Sequence, residues 1–166
     1  MANTAGSVEN VAASAIDGTV DYKLGVLRKV LDRYSAPLVS SEFGLSLAEW
    51  RVMSHIHAGE IVTASWLCER LMADKAEVSR ACASLIGRNF VKRRKNVADG
   101  RSHLLSLSQS GRRLYDQILA SRLALDAELT GLLSEEQKCA FFSAVDILTA
   151  HMLQKHHGSA VPTGAA

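Results

Sequence analysis

Apolar residues recur along this chain mostly at three- and four-residue intervals, and that spacing predicts a largely helical protein. Leu24, Leu27, Val30, Leu31, Tyr34 and Leu38 form one stripe of a helix beginning near Asp17, with Lys23, Arg28, Asp32 and Arg33 off the stripe. Pro37 lies inside the pattern and is expected to kink or split the helix, because it removes one backbone bond. Phe43-Gly44-Leu45 breaks the period. Ser46 and Glu49 then read as a capping box opening a second helix, with Trp50, Val52, Met53 and Ile56 inward and Gly59 expected to be the left-handed residue at its end. Thr63 is placed to cap a short third helix, Ala64 to Leu71, packed through Leu67, Cys68 and Leu71.

A fourth helix follows from Asp74, with Val78, Cys82, Leu85 and Ile86 on one face and Glu77 in the capping-box position. The pattern changes at Val91. Val91 to Lys95 and His103 to Leu107 have strand length, and Asn96, Asp99 and Gly100 between them supply turn chemistry. Ser108 caps a long helix carrying Leu114, Ile118, Leu125 and Leu129. Ser134 and Gln137 form a further capping box, opening a last helix with the stripe Phe141, Val145, Leu148 and Met152.

The predicted fold is mainly α with a small β-hairpin wing: a winged helix-turn-helix with N- and C-terminal dimerisation helices. Residues 1–16 read as a flexible arm and 156–166 as a disordered tail. Residues 17–155 are expected to form a single domain. Within it, 46–108 are the winged helix-turn-helix lobe, and 17–42 and 109–155 carry more apolar surface than one small domain needs.

Charge changes the picture in one place. Eight of the 19 Lys and Arg, and only Asp99 of the 17 acids, fall between Arg88 and Arg113. A basic segment on an acidic body argues for a local anionic partner, although a charge run is more often a solvated face. Four adjacent cations, Lys92 to Lys95, on one hairpin strand repel one another, which favours the functional reading. Cys68, Cys82 and Cys139 are odd in number and widely spaced, which fits neither a zinc site nor a disulfide framework. No signal peptide or membrane-length apolar run is visible, so a cytoplasmic setting without membrane association is expected. No cofactor or metal motif, and no nucleophile–base pair or phosphate loop, points to an enzyme.

Three stretches carry a resemblance. GLSLAEWRVM (44–53), DKAEVSRACASLIGRNFVKRR (74–94) and ADGRSHLLSLSQSGRRL (98–114) occur in order and at the right separations. Together they resemble the MarR-type winged-helix transcription regulators, over roughly Val20 to Met152. Asp99-Gly100-Arg101 and Leu105 to Gly111 match the family's wing signature, with Ser108 in place of the usual Thr. Glu77 and Trp66 depart from residues common in the family, a small polar group and a Glu respectively.

The resemblance implies a DNA-binding transcriptional regulator, most often a dimeric repressor on a palindromic operator, released by a small aromatic acid or phenolic ligand. It implies DNA contacts from Ser65, Lys75, Ala76, Glu77, Ser79, Arg80, Arg94, Asp99 and Arg101. Arg80 suits guanine in the major groove, and Arg101 suits the minor groove with Asp99 expected to hold its guanidinium. Lys92, Arg93, Arg94 and Lys95 are expected to add phosphate contacts from whichever of them face the duplex. Glu77 keeps two readings, helix cap or acceptor from cytosine. For the effector, Arg28, Tyr34, Trp50, Arg51, His55 and Tyr115 combine cations and aromatic rings, as an aromatic carboxylate requires. Packing is the ordinary reading of each alone. His55 and His57 point apart, which makes a poor metal pair. The rival in the same fold is a cysteine-based redox sensor. Cys139 is its best candidate, because Cys68 and Cys82 face inward.

Overall fold

A computed structural model describes residues 15–158. A single 3-10 turn, Ala15–Gly18, precedes six helices and three strands: α1 (Val20–Phe43), α2 (Leu47–Gly59), β1 (Val62–Thr63), α3 (Ala64–Leu71), α4 (Lys75–Gly87), β2 (Val91–Lys95), β3 (His103–Leu107), α5 (Gln109–Gly131) and α6 (Glu135–Gly158). Most of the expected arm (1–16), all of it but residues 15 and 16, lies outside the described residues, as does most of the expected tail (156–166).

Local chemistry sets most boundaries. Thr19 caps α1 by accepting from the Tyr22 amide. Pro37 does not split α1, which runs on to Phe43. Gly44, at φ 65°, ends it by donating to the carbonyls of Ser40 and Val39. The Ser46–Glu49 capping box is present in full. At the other end of α2 the left-handed residue is Glu60, not Gly59. Glu60 sits at φ 59°, ψ −59°, and the Ile61 amide donates to the Gly59 carbonyl at 2.6 Å, which makes a γ-turn. Gly59 answers a different need: a Cβ there would overlap Val62 and press on the Trp66 ring.

Strand β1 extends the expected two-stranded hairpin to a three-stranded antiparallel sheet in the order β1-β3-β2. Val62 pairs with Leu105, and Thr63, which also caps α3, pairs with Leu104. The hairpin register sets Val91 opposite Leu107, Arg93 opposite Leu105 and Lys95 opposite His103. These six residues therefore share one face, and Lys92, Arg94, Leu104 and Ser106 share the other.

The chain divides into two compact units, residues 1–118 and 119–166. In the first, Val39, Leu45, Val52, Met53, Ile56, Leu67, Val78, Leu85, Val91, Leu105, Leu107 and Ile118 are buried as one core. Burial of each such side chain contributes roughly 1.5–3 kcal/mol. Ala81 joins this inward face of α4, while Ile86 is only half-buried. The expected α1 stripe stays open: Val30 is 59% and Tyr34 55% exposed. In the second unit no described residue is buried, and Leu132, Phe142, Ile147 and Met152 are all open to solvent. Ser134 and Gln137 bond reciprocally at 2.9 and 3.2 Å to start α6, as their spacing predicts. No helix among the described residues is long and apolar enough to cross a membrane.

Candidate nucleic-acid interface

Helix α4 begins at Asp74, whose Oδ1 accepts from the amides of Ala76 (2.7 Å) and Glu77 (3.3 Å). The reciprocal half of the expected capping box is not made. No hydrogen bond joins the Glu77 carboxylate to the Asp74 amide, and Glu77 turns toward α1 and α2 instead. There it lines a cavity of about 210 Å³ with Arg28, Ala48 and Arg51.

The other side of α4 faces the wing. Ser65 of α3, Lys75 and Ser79 of α4, Arg93 of β2, His103 of β3 and Arg101 of the wing tip line a groove of about 380 Å³. No carboxylate is among its lining residues. Of the residues expected at DNA, Ser65, Lys75, Ser79 and Arg101 come together here. Ala76 and Arg80 are exposed on α4 outside the groove, and Arg94 lies on the opposite face of the sheet. Arg93 takes the groove position because its register partner, Leu105, points inward.

The wing tip is built from side chains that fold back on its own backbone. Asn96 Oδ1 accepts from the Ala98 amide at 3.1 Å, and Asp99 Oδ1 accepts from the Arg101 amide at 3.1 Å. Asp99 therefore sets the backbone at Arg101; contrary to the expectation from the sequence, it does not hold the guanidinium. The Asn96 amide nitrogen donates to Ser102 Oγ at 2.8 Å, and the Ser102 amide to the Asp99 carbonyl at 3.0 Å, which closes the turn.

A buried carboxylate fixes the far end of α4. Glu49 accepts from the Ser46 amide at 2.6 Å and from the Ser84 hydroxyl, and it lies 3.8 Å from Arg88. Arg88 in turn donates to the Gly44 carbonyl at 2.8 Å and covers the Phe90 ring. Burial works against the Glu49 charge. The hydrogen bonds from Ser84 and Ser46, with the Arg88 charge, outweigh it and hold the carboxyl below its ordinary range.

The residues expected to hold an effector fall into separate groups. Arg28 Nε donates to Asp32 at 2.9 Å, and Arg51 Nη2 donates to both Asp32 oxygens at 2.7 and 2.8 Å. Despite partial desolvation, both arginines lower the Asp32 pKa. Trp50 and Tyr115 stack on each other at 5.3 Å between centroids, and Tyr115 also stacks on His57 at 3.9 Å. His57 was missed, although it follows Trp50 by seven residues on the same helical face. His55 is turned back on its own helix, Nδ1 donating to the Arg51 carbonyl at 2.9 Å, and Tyr34 is exposed. Among the described residues, no group of His, Cys, Asp and Glu could hold a metal ion. Cys82 is buried beside Cys68, and both effects push its thiol up to about 11.

Residues 43–102 match the model of the MarR family. Among solved structures, a MarR/EmrR family transcriptional regulator from Acinetobacter sp. ADP1 is 22% identical, covering 80% of this chain and 93% of its own, with a TM-score of 0.72. A cysteine mutant of MarR from E. coli complexed with operator DNA is 22% identical (76% and 93% covered, TM-score 0.65). PcaV from Streptomyces coelicolor in complex with its natural ligand is 17% identical (76% and 91% covered, TM-score 0.65). These likenesses show a common winged-helix fold. No curated protein matches the sequence.

Proposed function

We propose, from the premise that this chain carries the winged helix-turn-helix of the MarR family, that it is a cytoplasmic, non-enzymatic transcriptional regulator that binds double-stranded DNA as a homodimer. The observation that carries this reading is the groove between α4 and the wing, lined by Lys75, Arg93 and Arg101 without a single carboxylate. A cationic concavity beside an exposed helix suits a duplex: the helix enters the major groove, where base edges are distinguishable, and the flanking cations meet phosphates. Lys75, Ala76, Ser79 and Arg80 are the residues of α4 that face the major groove of the DNA, Lys75 and Ser79 from within the protein's concavity and Ala76 and Arg80 from the exposed helix surface beside it. Ser65 and Arg93 contact the backbone from within the concavity, Arg94 lies on the far face of the wing sheet, and Arg101, on a turn set by Asp99, reaches the minor groove. Glu77 contributes from its place lining the cavity with Arg28 and Arg51.

The second copy is argued from surface. α1 leaves Val20, Leu27, Val30 and Tyr34 open, and the 119–166 unit leaves Leu132, Phe142, Ile147 and Met152 open. Apolar faces of this extent favour association. A two-fold dimer presents two α4 helices to half-sites about one helical turn apart, hence a palindromic operator. A small aromatic or phenolic acid releases the DNA by favouring a dimer with the wrong helix spacing. Its carboxylate is received by Arg28 and Arg51, which share a cavity, and the ligand draws on the rings of Tyr34, Trp50, His55 and Tyr115 only by opening the arrangement in which they now lie apart from it. Repression follows where the operator overlaps a promoter.

Selection from a pool of random-sequence duplexes tests this directly. Enrichment of a two-fold symmetric site, bound with a steep inverse salt dependence, is the expected outcome. A protein that enriches no sequence and binds no duplex even at low salt is not a DNA-binding regulator.

A further inference from the structure

Strand β2 leaves one of its edges open. At the two ends of the β2–β3 ladder, the Ser108 amide donates to the Phe90 carbonyl at 2.9 Å and the Asn96 amide to the Ser102 carbonyl at 3.3 Å. Opposed residues of antiparallel strands alternate between pairs that exchange hydrogen bonds and pairs that exchange none. Phe90 and Asn96 belong to the first kind, and in the unbroken register between them so do Lys92 and Arg94. Val91, Arg93 and Lys95 belong to the second, so their N–H and C=O groups point away from β3. The sheet order β1-β3-β2 places no strand on that side among the described residues.

A concavity of about 480 Å³ lies along this edge. Val91 and Arg93 line it from one face of the sheet, Lys92 and Arg94 from the other. The two faces border a common space only around the free edge, because β3 fills the other side. Ile86 at the end of α4, Asn89 and Ser108 complete the wall, and no carboxylate is among the lining residues. Apart from Val91, every residue of β2 is exposed.

Charged edges ordinarily guard a sheet against pairing with another copy. That holds here for a second β2: an antiparallel pair centred on Arg93 sets Lys92 opposite Arg94, like charge against like. The same cations attract a strand of opposite sign. The chain outside the described residues does not supply one, since residues 1–14 hold one acid, Glu9, and residues 159–166 hold none. A phosphate backbone matches the cations, but it has no donors for the outward carbonyls of Val91, Arg93 and Lys95. An extended peptide supplies donors and acceptors in the required alternation, and its carboxylates supply the charge.

We propose that the open edge of β2 is a docking site for an acidic, extended peptide segment of a partner protein, which adds to the wing sheet as a fourth strand and sets its carboxylates against Lys92, Arg93 and Arg94. This goes beyond the DNA-binding reading and does not depend on it.

The probe is a fluorescein-labelled octapeptide of alternating Glu and Val, added to the full-length protein and followed by anisotropy. Its counterpart methylated on every backbone nitrogen keeps the charge but has no backbone donors. Loss of several backbone hydrogen bonds should weaken binding at least about tenfold, and an alternating Lys–Val peptide should not bind. In amide exchange followed by NMR, the unmodified peptide should protect Arg93 and Lys95 and leave Lys92 and Arg94, already bonded to β3, unchanged. Arg93→Pro removes an outward N–H that the ladder does not use, as an edge strand allows. It should weaken binding more than Arg93→Ala, which loses the charge alone. Lys95→Pro against Lys95→Ala repeats the comparison should the first proline variant fold poorly by circular dichroism. Absence of binding by the Glu–Val peptide overturns the inference, and so does equal binding of the methylated one, which reduces the contact to charge attraction. Protection of the same alternate amides by a 30-bp duplex of mixed sequence gives the edge to DNA and overturns it too.

Discussion

The Phe90 carbonyl lies directly beneath Gly111, so that a Cβ at residue 111 would overlap its oxygen. The same oxygen accepts the Ser108 amide at 2.9 Å, and Ser108 Oγ accepts the Gly111 amide at 2.9 Å. The end of α4, the start of β2 and the first turn of α5 therefore meet at one backbone crossing with no room for a side chain. Gly111→Ala is expected to destabilise the protein by about 1–3 kcal/mol or more, since backbone and not a flexible side chain must yield. Gly25→Ala is the matched control. Gly25 is also helical, nothing lies within 4 Å of its Cβ position, and alanine there should stabilise by roughly 0.5–1 kcal/mol. Urea unfolding of the two variants should move their midpoints in opposite directions.

Glu49 makes stability depend on pH in a known direction. Its carboxyl is held below its ordinary value near 4.5 by Ser84, Ser46 and Arg88 against the cost of burial. A folded-state pKa that is depressed contributes stability in full above the unfolded value, and that stability is lost as pH falls through the folded one. Glu49→Gln should therefore cost about 1–3 kcal/mol at pH 7. The gap to wild type should close as the pH is taken below 4.5. Denaturant midpoints from pH 3 to 7 measure it, and a gap that stays constant over that range would falsify the assignment.

What could be read from the chain was mainly local. Caps at Ser46, Thr63, Asp74, Ser108 and Ser134 are recognisable because donor and acceptor lie within a few residues, and all five side chains accept the amide their position predicts. The failures came from contacts distant in sequence. Val62 and Thr63 become a strand only by pairing with Leu105 and Leu104, far along the chain. Gly59 looks like a left-handed cap by local rule, but Val62 and Trp66 need the space above it. Whether Arg93 or Arg94 enters the groove depends on a register in which a slip of one residue exchanges the faces, and no periodicity among four consecutive cations reveals it.

Asp99 and Arg101 can be separated by substitution. Because the Asp99 carboxylate accepts the Arg101 amide, an asparagine oxygen can take the same place. Asp99→Asn should leave duplex affinity nearly unchanged, whereas Asp99→Ala frees the wing tip and weakens binding. Arg101→Ala should weaken it by at least about tenfold, as loss of a hydrogen bond to a charged group implies, with an unaltered melting temperature. If Asn and Ala at position 99 weakened binding equally, the carboxylate charge would matter more than the turn.

Cys82 and Cys139 should differ in reactivity. The Cys82 thiol, pushed up to about 11 by burial and by Cys68, stays protonated near neutral pH, while Cys139 is exposed. Iodoacetamide at pH 7.5 should modify Cys139 first, as read by peptide mass mapping. Peroxide treatment that leaves Cys82 unoxidised should also leave DNA binding intact. Oxidation of Cys139, the exposed thiol, accompanied by release from DNA would revive the redox-sensor reading.

Asp32 holds the two arginines proposed for the effector, and it therefore competes with any carboxylate ligand. Its side chain is 37% exposed and its partners Arg28 and Arg51 are 59% and 32% exposed. Ion pairs this open contribute only about 0–1 kcal/mol, so Asp32→Asn should fold nearly as well as wild type. What changes is the charge available to an anion. With Asp32 neutral, both guanidinium groups beside the 210 Å³ cavity lose their internal counter-ion. Salicylate, measured by titration calorimetry, should then bind Asp32→Asn more tightly than wild type, and Arg51→Ala less tightly than either. A Trp50→Ala comparison isolates the aromatic half of the proposal. The Trp50–Tyr115–His57 stack is already closed on itself, so a ligand that uses these rings must open it, and Trp50→Ala should change the binding enthalpy. Salicylate binding that ignores both Asp32 and Arg51 would move the effector away from this cavity altogether.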